Sequence, residues 1–237
     1  MVKKAIVVMT IVMMGTALLG DFITKQQPVL DLPISTDVDS VHETQQEVVI
    51  EKKEVAQPTT ISPYDPIFKV VCEEYGNDWR FMSAMAYHES RFRPDATSKV
   101  GAQGMMQIMP SVAEFFNVKC EDLTNVETNI MVANLLVNRI GKMLKLTNEI
   151  PQRDQMGLIL ASYNGGVGHV LNARKLARNN GEDANSWSVV SKYLQEMKSS
   201  EFASANNVKR FGGVSQTLAY VDNVLGHYNH YCQIAAL

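Results

Sequence analysis

In this 237-residue chain, Glu89 is the side chain whose setting changes most what it can do. Asp78 is suited to cap a helix over residues 79–90, and within that helix the residues three, four and seven positions before Glu89 are Ala86, Met85 and Met82. The carboxyl thus falls on an apolar stripe in the last helical turn. Burial disfavours its charged form, and the negative end of the helix dipole opposes the same charge. A glutamic acid held this way keeps its proton toward neutral pH, as general-acid chemistry requires. The same sequence also allows the opposite: Arg91 or Arg93 could close an ion pair with Glu89 at the helix end and favour the carboxylate. Position alone leaves both readings standing.

The elements that must carry such a site are helical. Apolar residues recur at helical spacing over 66–75, 79–90, 111–116, 128–144, 154–162 and 167–179, with further helices expected over 189–198 and 216–231. Strand-like alternation is almost absent, so the expected fold class is mainly α. Three stretches break the helical pattern, 93–103, 104–110 and 163–166, where Gly, Pro, Asn and Ser cluster. Loops of this kind allow a ligand close to the backbone, and function tends to sit on them.

Read in order, the chain carries His88-Glu89-Ser90-Arg91-Phe92, then Ser98 to Gln103 leading into Gly104-Met105-Met106-Gln107-Ile108-Met109-Pro110, then Ala161-Ser162-Tyr163-Asn164-Gly165-Gly166, and finally Tyr220-Val221. In order and spacing this closely resembles the catalytic domain of the soluble lytic transglycosylase family, lysozyme-like enzymes that cut bacterial peptidoglycan. The resemblance spans about residues 66–231, and its middle motif departs from the family's Gly-Leu-Met-Gln-Ile-Met-Pro only by Met105. It implies a lysozyme-like helical domain in which Glu89 is the sole catalytic acid/base, acting on the β-1,4 bond between N-acetylmuramic acid and N-acetylglucosamine and leaving a 1,6-anhydro end. A neighbouring acetamido group then replaces the second carboxylate of most glycosidases. It further implies that Ser98 and Gln107 line the cleavage subsites, that Met109 forms apolar wall, that Tyr163 and Tyr220 flank the glutamate, and that Asn164 with Gly165 and Gly166 shapes the turn behind Tyr163. Ser90 reads as a helix-end structural residue, Met106 and Ile108 as core. The family's Glu-Thr pair before the last tyrosine is here Gln216-Thr217, which keeps hydrogen-bonding shape and loses a charge.

Other patterns do not mature into sites. His88-Glu89 lacks the second histidine of a zinc-binding His-Glu-x-x-His helix, because position 92 is Phe. His227 and His230, one turn apart near Cys232, read as surface or packing residues before metal ligands. Gly165, Gly166 and Gly168 follow no strand and make no dinucleotide fingerprint. Arg174, Lys175 and Arg178 read as a solvated helix face. No metal or cofactor is expected. Three cysteines, Cys72, Cys120 and Cys232, leave at least one thiol unpaired; a Cys72–Cys232 disulfide and three reduced thiols are both open.

The two ends of the chain differ in kind. Lys3 and Lys4 precede an uncharged apolar stretch over 5–20, so residues 1–23 read as a secretory signal or a retained N-terminal membrane anchor, and the protein as exported, periplasmic or envelope-associated. Residues 24–63 set Lys25, Lys52 and Lys53 against Asp31, Asp37, Asp39, Glu43, Glu47, Glu51 and Glu54, carry four prolines and lack aromatics, the composition of a flexible acidic linker. Val48 to Ile50 could form a short strand or a partner contact. Residues 64–237 hold all the Tyr and Trp and form the expected catalytic domain. A formal charge of −3 supplies no basic excess for nucleic acid. Two alternatives share the scaffold: a hydrolytic muramidase, in which Asp95 is the nearest carboxylate to orient water, and an inactive wall-binding or assembly protein. In every reading the partner is the peptidoglycan glycan strand.

Overall fold

The computed structural model describes residues 60–235, and the signal or anchor assigned to 1–23, most of the linker and Val48 to Ile50 lie outside them. The described chain begins with a cap. The Asp65 carboxylate accepts from the backbone N–H groups of Ile61 (2.8 Å) and Ser62 (2.9 Å) and from the Ser62 hydroxyl, so the chain assigned to a linker as far as 63 is already tied down at Ile61. Pro66 opens the first turn of α1, Asp65–Tyr75, and Gly76 closes it in the left-handed conformation, φ 71°. Asp78 caps α2, Trp79–Ser90, accepting from the Arg80 N–H as the sequence predicts. There follow α3, Pro110–Phe115; α4, Val126–Leu144, capped by Asn125; α5, Gln152–Gly165; α6, Val167–Asn179; α7, Trp187–Glu196; α8, Ser200–Ala205; and α9, Val214–Ile234. A 3₁₀ turn, Cys120–Thr124, leads into α4.

The mainly α expectation holds: among the described residues the only β pairing is two isolated bridges, Thr97 to Gln103 and Gln103 to Ile108. α9 packs along α2 and α5, α1 lies on α4 and α2, and α5 touches α4, α6 and α7. Phe68, Met82, Met85, Met105, Met106, Leu123, Ile130, Leu158 and Leu160 are fully buried between them. At roughly 1.5–3 kcal/mol per buried side chain, this core is what sets the helices around the acid.

Two expectations need correction. Residues 163–165 are not a loop; they form the last turn of α5, and the break comes at Gly166 with φ 94°. Position 165 has no room for a side chain: a Cβ there would lie 2.6 Å from the ring of Phe211, just ahead of α9, and 2.9 Å from the hydroxyl of Thr217 on α9. Arg174 is not on a solvated face. Buried at 6% exposure, its guanidinium donates to the Leu144 carbonyl at the end of α4, to the Ala184 carbonyl (2.7 Å) and to Asn185 Oδ1. There its charge answers the α4 dipole, while Lys175 and Arg178 remain exposed. Of the two readings left open for the cysteines, the structure shows the reduced one: Cys72, Cys120 and Cys232 are all free thiols.

Candidate active site

The loop between α2 and α3 is held by hydrogen bonds within itself and to side chains of α2, α4 and α5. Ser98 and Ala102 close one hairpin, with the Ser98 hydroxyl accepting from the Ala102 N–H at 2.9 Å. Gln103 and Ile108 exchange both backbone bonds, 2.8 and 2.9 Å, and close a second. At its tip Gly104, φ 75°, sits where a Cβ would be 2.3 Å from the Asn129 amide nitrogen and 2.4 Å from the Leu123 carbonyl. Asn129, buried in α4, donates to the Gln103 and Leu123 carbonyls and accepts from the Met106 N–H at 2.7 Å. Ser90 has the structural role expected of it, its hydroxyl donating to the Met105 carbonyl (2.8 Å) and accepting from the Arg93 N–H (3.0 Å).

Gln107, at the left-handed φ of 50°, turns inward at 8% exposure and spends both amide hydrogens on the Ala96 and Gly104 carbonyls, at 3.1 and 2.9 Å. Only its carbonyl oxygen is left for a ligand, so it can accept from a hydroxyl or amide but cannot donate.

These elements meet in a small cleft lined by Glu89, Gln107, Ile108, Met109, Val112, Leu136, Tyr163 and Asn164. Burial pushes the Glu89 carboxyl up to about 7, and the Tyr220 phenol pulls it partly back. The ion pair that the sequence left open does not exist. Arg91 lays its guanidinium over the Tyr87 ring, 4.0 Å from the centroid, and Arg93 Nε donates to the Ser90 carbonyl at 2.8 Å. α2 itself ends abruptly, Arg91 and Phe92 both at φ 58°, which turns the chain away and leaves Glu89 facing the cleft.

Two tyrosines flank the carboxyl and differ in their bonding. The Tyr163 hydroxyl donates to the Met106 carbonyl at 2.8 Å. The Tyr220 hydroxyl is buried beside Glu89 with no hydrogen bond of regular geometry to it or to any other group. Burial first, and then the nearby Glu89 charge, hold both phenols well above their ordinary pKa, so both remain neutral donors. Asn164 accepts from the Thr217 hydroxyl at 2.8 Å, which locks the end of α5 to the start of α9.

Of the residues singled out in the sequence, Gln107, Met109, Tyr163 and Asn164 share the cleft with Glu89, and Tyr220 abuts the carboxyl from α9. Ser98 does not line it; its hydroxyl is used in its own hairpin. Ile108 is core, as expected, and wall as well. Val112, Leu136 and Asn129 were missed, the first two because an apolar residue at helical spacing reads as core, the third because an asparagine within a helix shows no local sign of a distant partner. Among the residues lining the cleft Glu89 is the only carboxylate, and Asp95 is exposed elsewhere. A buried, protonated carboxyl with two neutral phenols and one amide acceptor can give a proton to a bound oxygen and take one back.

The sequence profile of the Transglycosylase SLT domain matches residues 66–186, more than half of the chain. The chain belongs to the transglycosylase SLT domain family. Among relatives of this SLT domain, a membrane-bound lytic murein transglycosylase F of Marinobacter nauticus is 30% identical over 170 residues, covering 70% of this chain and 32% of that protein. The protein of the same name in Yersinia enterocolitica is 36% identical over 124 residues, 52% of this chain and 25% of the relative. The chain thus spans about a third or less of the length of these curated relatives. Two solved structures share the fold.

 

The 70 kDa soluble lytic transglycosylase of Escherichia coli aligns with a TM-score of 0.50 at 24% identity, over 71% of this chain and 24% of that one. An inactive mutant of the lytic transglycosylase Slt of Pseudomonas aeruginosa aligns with a TM-score of 0.52 at 21% identity, over 72% of this chain and 24% of that one. At these identities the likeness establishes the fold of the SLT domain and nothing finer.

Proposed function

We propose that this protein is a peptidoglycan lytic transglycosylase in which Glu89 is the single acid/base. The observation that carries the reading is a carboxyl held protonated to about pH 7 in a cleft with no second carboxylate, within an SLT domain. Glu89 would protonate the oxygen of the β-1,4 bond between N-acetylmuramic acid and N-acetylglucosamine, and that bond breaks with the positive charge at C1 stabilised by the neighbouring acetamido group. The resulting carboxylate then takes the proton of the muramoyl C6 hydroxyl as its oxygen closes onto C1. The proton returns to Glu89, no water is consumed, and a 1,6-anhydro end remains. One carboxylate suffices, unlike the pair that most glycosidases need.

In this reading the Gln107 carbonyl accepts from a substrate hydroxyl or amide, Met109 and Val112 supply apolar wall, and Tyr163 and Tyr220 hold the proton's route as neutral donors. Asn164 acts through the α5–α9 junction, and Ser98 through the hairpin it closes. The relatives named membrane-bound murein transglycosylases support work at the cell envelope, with the apolar N-terminal stretch as export signal or anchor. Among the described residues no helix is long and apolar enough to cross a membrane.

The test is mass spectrometry of the products from isolated peptidoglycan, with Glu89→Gln as control. Anhydro-muramoyl ends that vanish in the variant are the expected result. Reducing muramoyl ends would make the enzyme a hydrolytic muramidase, and binding without cleavage by the unaltered protein would make it a wall-binding protein.

A further inference from the structure

Tyr220 and His227 are seven residues apart on α9, two turns along one face, and that face lies against α2, where His88 immediately precedes Glu89. Across this interface His88 Nε2 and His227 Nδ1 are 2.8 Å apart, and His227 Nδ1 also lies 3.1 Å from the Asn223 carbonyl one turn earlier on its own helix. The His88 ring meets the Tyr220 ring edge-on at 6.4 Å between centroids, and the His227 ring rests on Tyr87 at 4.6 Å. Because no regular hydrogen bond holds the Tyr220 hydroxyl, the packing of its ring is what places it beside Glu89.

We propose that the His88–His227 pair is a positioning device for the acid, clamping α9 to α2 and so holding the Tyr220 phenol against the Glu89 carboxyl. This rests on the reading of Glu89 given above. Two ring nitrogens at 2.8 Å share one hydrogen, since two N–H groups face to face would repel. The groups around the pair are Tyr87 and Arg91 from α2 and its cap, and Tyr220, the Asn223 carbonyl and Tyr231 from α9. Burial, then His227 and Arg91, push the His88 imidazole down to about 4, so the ring is neutral and the single shared hydrogen persists through the neutral range.

The experiment follows the Glu89 carboxyl directly, by carbon-13 NMR of the full chain labelled at glutamate, with its signal identified by its loss in Glu89→Gln. The pH profile of cleavage is recorded in parallel. His227→Ala is expected to raise the Glu89 titration by roughly 0.5–1 pH unit, because a phenol that no longer faces the carboxylate no longer favours it. The alkaline limb of kcat should move by the same amount with KM little changed. His227→Phe keeps a ring on Tyr87 without the shared hydrogen and should shift as His227→Ala does, which also covers the case in which the alanine variant folds poorly. His227→Asn, whose side-chain amide can set either its oxygen or its NH2 at about the place of Nδ1, should restore the original titration. An unchanged Glu89 titration in His227→Ala and His227→Phe, or a His227→Asn variant that shifts as fully as His227→Ala, overturns the proposal. The NMR readout needs no turnover, so an unaltered protein that fails to cleave peptidoglycan refutes the proposed function while the titration still decides the role of the pair.

Discussion

On the loop side of Glu89, the segment that carries the wall residues Gln107 and Ile108 is fixed by hydrogen bonds: Ile108 pairs with Gln103, Met106 is held through its N–H by Asn129 and through its carbonyl by Tyr163, and Met105 through its carbonyl by Ser90. On the α9 side hydrogen bonds lie to either end, Thr217 to Asn164 and His227 to His88, while Tyr220 beside the acid is held by ring packing and its hydroxyl has no regular partner. The loop wall therefore sets shape, because each backbone group left unpaired in it would cost about 1–3 kcal/mol. The helix wall sets proton affinity, because a donor not committed elsewhere can follow the charge as it forms on the carboxylate. Substitutions on the two sides should accordingly disturb different quantities.

The largest effect is expected at the residue both walls serve. Glu89→Gln keeps the shape and loses the exchangeable proton, so cleavage should fall by roughly two to four orders of magnitude while the fold is retained. Rates on isolated peptidoglycan, with circular dichroism as the fold control, check it. Activity within about tenfold of the unaltered protein would remove Glu89 from the mechanism.

Next comes the loop wall. Gly104→Ala must force a methyl group to within 2.3 Å of the Asn129 amide and 2.4 Å of the Leu123 carbonyl at a φ that disfavours any side chain. We expect a loss of roughly 2–4 kcal/mol, read as a lower midpoint in urea. If the midpoint does not move, the loop is softer than its hydrogen bonds imply.

How much of this was legible in the sequence follows from how far apart the partners are. The place of Glu89 on an apolar stripe and the Asp78 cap depend on neighbours within one or two turns, and both could be read. What became of Arg91 and Arg93 could not, because it depends on the Tyr87 ring and the Ser90 carbonyl as folded. The last turn of α5 looked like a loop because Gly165 and Gly166 are poor helix formers, and what requires a glycine at 165 is the close approach of Phe211 and Thr217, far along the chain. α8 and the 3₁₀ turn were too short to show a period. The Gln107 motif identified the residue but not that both of its donors are spent on the loop. His88 and His227, 139 positions apart, gave no sign of each other.

The proton affinity of Glu89 also makes stability depend on pH. The carboxyl titrates at about 7 in the folded protein against an ordinary value of 4.5, so the folded state binds the proton more tightly than the unfolded chain. Its contribution is fully present below about 4.5 and is lost as pH rises through about 7. Glu89→Gln lacks this titration, so the variant should gain on the unaltered protein by roughly 2–3 kcal/mol between pH 5 and pH 8. Paired urea unfolding at the two pH values measures the difference. Parallel stability across that range would mean that the carboxyl is ionised in the folded state, and the alkaline limb of activity near pH 7 would then need another origin.

The smallest effects separate the walls most cleanly, because the same atom is removed from each. Tyr163→Phe leaves the Met106 carbonyl without its 2.8 Å donor and should cost about 1 kcal/mol of stability. Tyr220→Phe removes a buried hydroxyl that has no regular partner, so stability should stay level or rise slightly. Its effect should appear instead in the Glu89 titration, which moves upward once the phenol no longer favours the carboxylate, carrying the alkaline limb of activity with it. Thermal midpoints and pH–rate profiles of the two variants, taken side by side, decide the matter. If Tyr220→Phe destabilises the fold as much as Tyr163→Phe and leaves the titration in place, then both tyrosines serve shape alone, and the division between a wall that fixes geometry and a wall that tunes a proton does not hold.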